Sequence, residues 1–439
     1  MKKSVLAGLL VVACTSATVW SNGSSETASS KAPKSEFAGQ TVTLMLENKE
    51  GEYEAQQAQI KAFEKKYGCK VEVEVVPTGA QGENLRKVRV ATHALPDVFG
   101  SAVGAIMMQM DPVNNCLPLD GQPWIGNVNE SYRKAAGVDG KTYGVPTAPS
   151  NVGGVFYNKK VFEKYGISIP ETWDQFLSVC EKLKQAGVTP VAHPNGKASL
   201  CQVPFLMDYY YVEQADPDFA TKYTKHEIGL ADSEEYVYGL QKLYDLAAKG
   251  YLNEDSMSAT IEDVATMLGE GTAAMSIIRS NLLSTMSVLV TDAVDDIGFF
   301  PLPDKSASIR GVCTWMPIGY FVTSYAKNQA LALKFVEFMT TQEAIDAYVS
   351  VQKPTGAFML NGIHFAADAP VYKCMNEAQE WIEKASTSVM EYKCPIKGAN
   401  MPSICQQVAV GQITPAEAIK AIEEDNALSA KQLGLPGWI

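Results

Sequence analysis

The sequence is poor in the groups that most often announce catalysis or metal capture. Histidine occurs only at His93, His193, His226 and His364, each alone in its surroundings. A metal-capturing protein concentrates such ligands, so these read as single core or surface residues. Nine cysteines are present, none of them in a C-x-x-C pair. That absence speaks against a zinc ribbon and against a thioredoxin-like redox site. Neither G-x-S-x-G nor H-E-x-x-H occurs. The triplet Gly140-Lys141-Thr142 lacks the glycine that a phosphate loop needs five positions earlier, where Ala135 stands. No apolar strand precedes it, so it reads as a β-turn. Positive charge is also short: 37 Lys and Arg face 49 Asp and Glu, a net charge of −12. This balance argues against nucleic acid as a partner. No cofactor motif remains, and past the N-terminus no apolar run is long enough to span a bilayer.

What is present describes a large folded chain. Its 439 residues are 46% hydrophobic and 20% charged, which suits two or three domains with sizeable cores. Met1-Lys-Lys-Ser4 is basic and Val5 to Ala13 is apolar, the pattern of an export signal. Val11-Val-Ala-Cys14 resembles a bacterial lipobox, in which Cys14 is lipidated and anchors the chain to the cell envelope. Cleavage near Asn22-Gly23 to give a freely secreted form is the alternative. Residues 1–22 are thus the signal segment. Residues 23–36, rich in Ser, Ala and Lys, make a disordered tether. Eight cysteines follow Cys14, and sequence does not give their pairing. Cys180 falls on the apolar face of a predicted helix and reads as a core thiol.

Beyond the tether, strand and helix signals alternate. Thr41 to Leu46 is a nearly continuous apolar run, as for a strand covered on both faces. Tyr53, Ile60, Phe63 and Tyr67 recur at helical spacing, and Gly68 stands where the helix should stop. Val71, Val73 and Val75 alternate with Glu72 and Glu74, a half-exposed strand. Thr172-Trp-Asp-Gln175 and Thr414-Pro-Ala-Glu417 are capping boxes that open helices. The alternation gives an α/β class. Proline-marked breaks recur at Thr147–Ser150, Pro301–Lys305 and Lys353–Gly356. Read as three hinge crossovers, they divide the chain into two lobes. Residues 37–147 and 304–353 form the first; residues 150–301 and 356–439 form the second. Such a hinge suits closure around a ligand.

Several stretches, in order along almost the whole mature chain, resemble the extracellular solute-binding proteins of ATP-driven sugar importers, the maltose-binding-protein-like family. They are Leu95-Pro-Asp-Val-Phe99, Gly144-Val-Pro146, Phe156-Tyr-Asn-Lys159, Phe162-Glu-Lys-Tyr-Gly166, Pro170-Glu-Thr-Trp-Asp-Gln-Phe176, Gly271-Thr-Ala-Ala-Met275 and Ile297-Gly-Phe-Phe-Pro-Leu-Pro303. The resemblance implies a two-lobed periplasmic-binding-protein (Venus-flytrap) fold and a binding role without catalysis. It also implies a mono- or oligosaccharide ligand and a monomer that delivers it to ABC permease subunits. One departure concerns Arg279-Ser-Asn-Leu282, where many members carry Gly-x-Trp. The missing indole removes a common stacking plate.

A sugar has hydroxyls around its rim and apolar C–H faces, so its site needs convergent polar groups and aromatic plates. In open α/β sheets the ligand lies outside the carboxyl ends of strands. The loops placed there carry Glu47, Asn48 and Glu50; Ser101; Asn151; Arg279 and Asn281; and Trp315 as replacement plate. Tyr209, first of three consecutive tyrosines, is a further candidate. Trp173 reads as architecture at a helix start. A secreted glycosidase would also suit an acidic, aromatic cleft, but it needs a carboxylate pair at fixed separation that spacing cannot show. A binding protein for a solute other than sugar is the remaining alternative.

Overall fold

The computed structural model describes residues 35–47, 52–77, 80–364 and 371–439. The signal segment, most of the tether, Cys14, Asn48 and Glu50 lie outside these residues. The strands are β1 (Thr41–Glu47), β2 (Lys70–Val76), β3 (Val98–Ser101), β4 (Gly137–Val138), β5 (Lys141–Thr142), β6 (Gly144–Pro146) and β7 (Asn151–Asn158). They continue with β8 (Thr189–Val191), β9 (Ala273–Arg279), β10 (Ile297–Phe300), β11 (Val312–Trp315), β12 (Gly319–Val322) and β13 (Ser386–Ser388).

Two separate sheets organise the chain. The first has the order β2-β1-β3-β12-β6, and the second β13-β11-β7-β9-β8 with β10 paired to β7. β1 and β2 run parallel, Thr41 opposite Lys70 and Glu47 opposite Val76. Helix Tyr53–Tyr67 joins them and ends at Gly68, whose φ of 65° needs a residue without a side chain. β4 and β5 form a ribbon whose turn residues Asp139 and Gly140 both have positive φ, as a two-residue hairpin requires. This is the turn expected around Gly140-Lys-Thr.

Each sheet carries its own core. Around the first are Val42, Leu44, Phe63, Phe99, Phe321 and Phe335. One face of the second is covered by helices Trp173–Gln185 and Glu234–Ala248, which bury Phe176, Cys180, Leu183, Leu240 and Leu243. The other face buries Phe156, Leu268, Ile278 and Phe299. Thr172 caps its helix by accepting from the Gln175 amide. Gln175 returns the bond to the Glu171 N–H at 2.7 Å, one residue earlier than a full box requires. At Thr414 both arms of the box close. The eight described cysteines are all buried free thiols. Among the described residues no helix is long and apolar enough to cross a membrane.

The passages between sheets differ in part from the expected ones. β6 ends in the first sheet at Pro146, and β7 begins in the second at Asn151. The second passage is displaced. β11 pairs with β7 and β13, so residues 304–315 belong to the second lobe and the chain crosses at 316–318, just before β12. Pro301 and Pro303 mark the exit from β10 into a loop of the same lobe. The carbonyl of Asp304 accepts there from the Trp173 N–H at 2.8 Å. The prolines report missing amide donors, which a loop needs as much as a crossover does. The third passage is also later than expected. Phe358 and Leu360 pack in the first core, and the Asn361 N–H donates to the Asn127 carbonyl at 2.7 Å. The chain is back in the second lobe by Tyr372, which packs in that sheet's core.

Candidate functional site

Where the two lobes face each other lies a cleft of about 450 Å³. The first lobe and the second crossover supply Glu47, Glu52, Met316, Pro317 and Ile318. The second lobe supplies Asn151, Arg279, Asn281, Thr285 and two loops, one running from Gly196 to Leu200 and one from Ser258 to Glu262. The strand topology explains this meeting. Glu47 and Arg279 are the last residues of β1 and β9, and Asn151 is the first of β7, which runs antiparallel to β9.

Glu47 and Asn151 are held from behind. Glu47 receives the guanidinium of Arg86 at 2.7 Å, and Arg86 is only 2% exposed. The arginine thus fixes one carboxylate oxygen. The Asn151 side-chain oxygen accepts from Ser280 Oγ and Thr355 Oγ1, each at 3.2 Å. Ser280 Oγ in turn accepts from the Val152 N–H at 3.1 Å. One amide therefore ties together β7, the end of β9 and the third interlobe segment. Among the described residues its own NH₂ group has no such partner, and Asn151 lines the cleft.

Arg279 is half-buried and stands over Trp315, its guanidinium carbon 5.8 Å from the ring centroid. Burial lowers its pKa below the ordinary arginine value, against the pull of Tyr392, Glu52 and Glu391. Among the described residues its covered Nε has no hydrogen-bond partner, and the same holds for Asn281 Oδ1. Trp315 lies beneath the wall rather than on it. A Cβ on Gly153 would come within 2.5 Å of its ring, so glycine is required for the indole to fit.

The two lining loops are latched together. The Gly196 N–H donates to the Ala259 carbonyl at 3.2 Å, and a Cβ on Gly196 would meet that oxygen at 2.8 Å. Below them His193 Nδ1 pairs with Asn195 Oδ1 at 2.7 Å, and its backbone N–H donates to Asn253. Burial drives the His193 imidazole down to about 4, although the Asn195 contact opposes it. A neutral, fixed ring thus props the turn that leads into Gly196.

The residues anticipated from sequence divide clearly. Glu47, Asn151, Arg279 and Asn281 line the cleft. Ser101, Tyr209 and Trp315 do not. Ser101 is buried at the end of β3, opposite Gly319 in the next strand. Tyr209 is 2% exposed inside the helical core of the second lobe, where apolar packing with its neighbours outweighs any access to the cleft. Trp315 occupies a strand, not a loop, and packs inward as a floor under Arg279. Asn48 and Glu50 lie outside the described residues. Sequence reading missed Glu52, the Gly196–Leu200 loop and the Ser258–Glu262 loop. The last carried a signal: Thr260 and Asp263 form a complete capping box, so a helix start had to present its first turn here.

The chain matches the family profile of the bacterial extracellular solute-binding proteins over residues 48–346, more than half its length. An uncharacterised ABC transporter extracellular-binding protein of Pyrococcus horikoshii is 27% identical over 361 residues, 79% of this chain and 78% of its own. A multiple sugar-binding protein of Streptococcus mutans is 26% identical over 337 residues, 74% of this chain and 77% of its own. Among solved structures, a chitin oligosaccharide binding protein superposes with a TM-score of 0.75 at 22% identity, covering 89% of this chain and 99% of that one. A binding protein in complex with raffinose gives 0.71 at 19% identity, with 89% and 99% covered. At such identities the structures speak for the fold, while the sequence profile speaks for descent. The chain therefore belongs to the family of bacterial extracellular solute-binding proteins.

Proposed function

We propose that this chain captures a carbohydrate in the cleft between its lobes and delivers it to the permease of an ABC importer. The observation that carries the reading is the cleft wall. It is assembled from both lobes, it is mostly polar, and Asn151 and Arg279 present donors held in place from behind. A rim of hydroxyls needs such fixed partners, because a buried polar group left unpaired costs about 1–3 kcal/mol. Leu200, Ile261 and Met316 supply apolar surface for C–H faces. A ligand touching both walls pulls the open–closed equilibrium toward closure, and the segments at 147–150 and 316–318 are the hinges. Lipidation at Cys14 would tether a monomeric receptor to the envelope, near its permease.

The test is thermal denaturation of the exported protein, freed of co-purified ligand, against a panel of mono- and oligosaccharides. A true ligand at a hundredfold excess over Kd stabilises by about 2.7 kcal/mol and raises Tm. The bound sugar is recovered unchanged. A flat response across the panel, or release of reducing ends, refutes the reading.

A further inference from the structure

Among the described residues three cations are buried almost completely, Arg86, Lys242 and Lys397, and each holds a carboxylate: Glu47, Asp208 with Asp304, and Glu391. Arg279 departs from that pattern. Among the described residues no carboxylate lies within ion-pairing distance of it, and its Nε meets no acceptor. Its neighbours are an indole face and the cleft itself. Of the lining carboxylates Glu47 is already engaged by Arg86, while Glu52 and Glu262 form no ion pair with Arg279; Glu391 is held by Lys397. When the lobes close and water leaves, a guanidinium that Glu52 and Glu391 attract but do not pair with becomes costly. A neutral hydroxyl offsets that poorly. A carboxylate matches the planar fork with two parallel hydrogen bonds and brings the missing charge.

We infer that Arg279 selects a carbohydrate bearing a carboxylate, a uronic acid sugar or oligosaccharide, and pairs with that carboxylate in the closed cleft. The inference rests on the carbohydrate-receptor reading above and names the ligand class within it. Asn281, whose buried Oδ1 also lacks a partner, stands two residues on and accepts a hydroxyl of the same sugar. Glu52, on the opposite lobe, attracts Arg279 from beyond ion-pairing distance, so the ligand carboxylate prevails over it by direct contact with the guanidinium.

The experiment is calorimetric titration of the full exported protein with galacturonate and glucuronate oligosaccharides and with their carboxyl-reduced, neutral counterparts. Arg279→Gln and Arg279→Lys are measured beside the parent, and their ligand-free melting curves report whether they fold. The expected result is saturable binding of a uronate and weak binding of its neutral twin. Arg279→Gln should lose about ten- to hundredfold in uronate affinity, the range for charge-assisted hydrogen bonds. Arg279→Lys, which keeps the charge without the fork, should fall between. Neutral sugars bound as tightly as uronates, or a Gln variant that loses both classes equally, overturns the inference and leaves the carbohydrate reading standing. Phosphate or acetate at matched ionic strength displacing the uronate stoichiometrically, with no sugar selectivity, overturns it as well. Binding of no saccharide of either class removes both readings.

Discussion

Lys242 is the most informative residue to perturb outside the cleft. Its ammonium group donates to Asp208 at 2.6 Å and pairs with Asp304 at 2.8 Å, with the lysine 2% exposed. The rings of Tyr211, Tyr238 and Trp173 surround it at 4.8, 5.3 and 5.9 Å. One cation therefore joins helix Glu234–Ala248, the junction at Asp208 and the loop leaving β10. Lys242→Met keeps the aliphatic stem and deletes the charge, stranding two carboxylates in a dry interior. Breaking a buried pair costs about 3–5 kcal/mol. For a lobe of this size that lowers Tm by about 6–20 °C. The loss should depend on pH with a definite sign. Burial, reinforced by Asp304 and opposed by Lys242, raises Asp208 to about 7. A carboxyl raised above its unfolded value contributes stability at low pH and loses it as pH climbs through the folded value. Without Lys242 that carboxyl is harder still to ionise, so the two folded proteins differ in protonation only above about pH 7, and the deficit should grow from there upward. Melting curves at pH 5 and pH 8 decide the matter. A Tm drop below about 2 °C at pH 8, or an equal drop at both pH values, refutes the account. Adding Asp208→Asn to the variant should restore part of the loss. Ligand affinity should not change, since none of the three groups lines the cleft.

Asn151→Ala removes the acceptor for Ser280 and Thr355 and one cleft donor; we expect about 1–2 kcal/mol lost in stability and a weaker ligand, read by denaturant melts and titration. An unchanged Kd would show that the amide is purely structural. His193 should shape the acid arm of the stability profile. Its folded value lies below its unfolded one, so its contribution is present above about pH 6.5 and lost as pH falls toward about 4. His193→Gln should flatten that arm, and an unaltered profile would contradict it. Thr414→Ala opens the capping box of helix Pro415–Gln432 and should cost about 1 kcal/mol, with the same loss in apo and ligand-bound protein.

Periodicity exposed the layout because each strand and helix has one apolar face and the ends carry caps. Thr41–Glu47, the stop at Gly68 and the helix at Thr414 needed only local chemistry. The passages between lobes were harder. Pro301 and Pro303 show that the backbone lacks donors, but pairing of β11 with β7 depends on contacts between positions far apart in sequence. The site split along the same line. Glu47, Asn151 and Arg279 sit at strand ends, a property of topology that alternation reveals. Whether an indole faces solvent or core is decided by what lies opposite. The space under Trp315 is made by Gly153, in a different strand, and nothing next to Trp315 in sequence announces it. The loops at Gly196 and Ala259 meet each other only in the folded lobe.

The passages of the chain between sheets also set when this protein can become functional. The second lobe closes around residues from the far end of the chain: β13 completes its sheet beside β11, and Met401, Ile404, Ile422 and Trp438 fill its core. Trp438 packs edge-on against Tyr223, and its indole N–H donates to the Thr224 carbonyl at 3.1 Å. A chain exported N-terminus first would thus hold an unfinished lobe until Trp438 is outside. Truncations that remove Trp438 should yield no half-working protein with weakened affinity, only a chain that proteolysis removes.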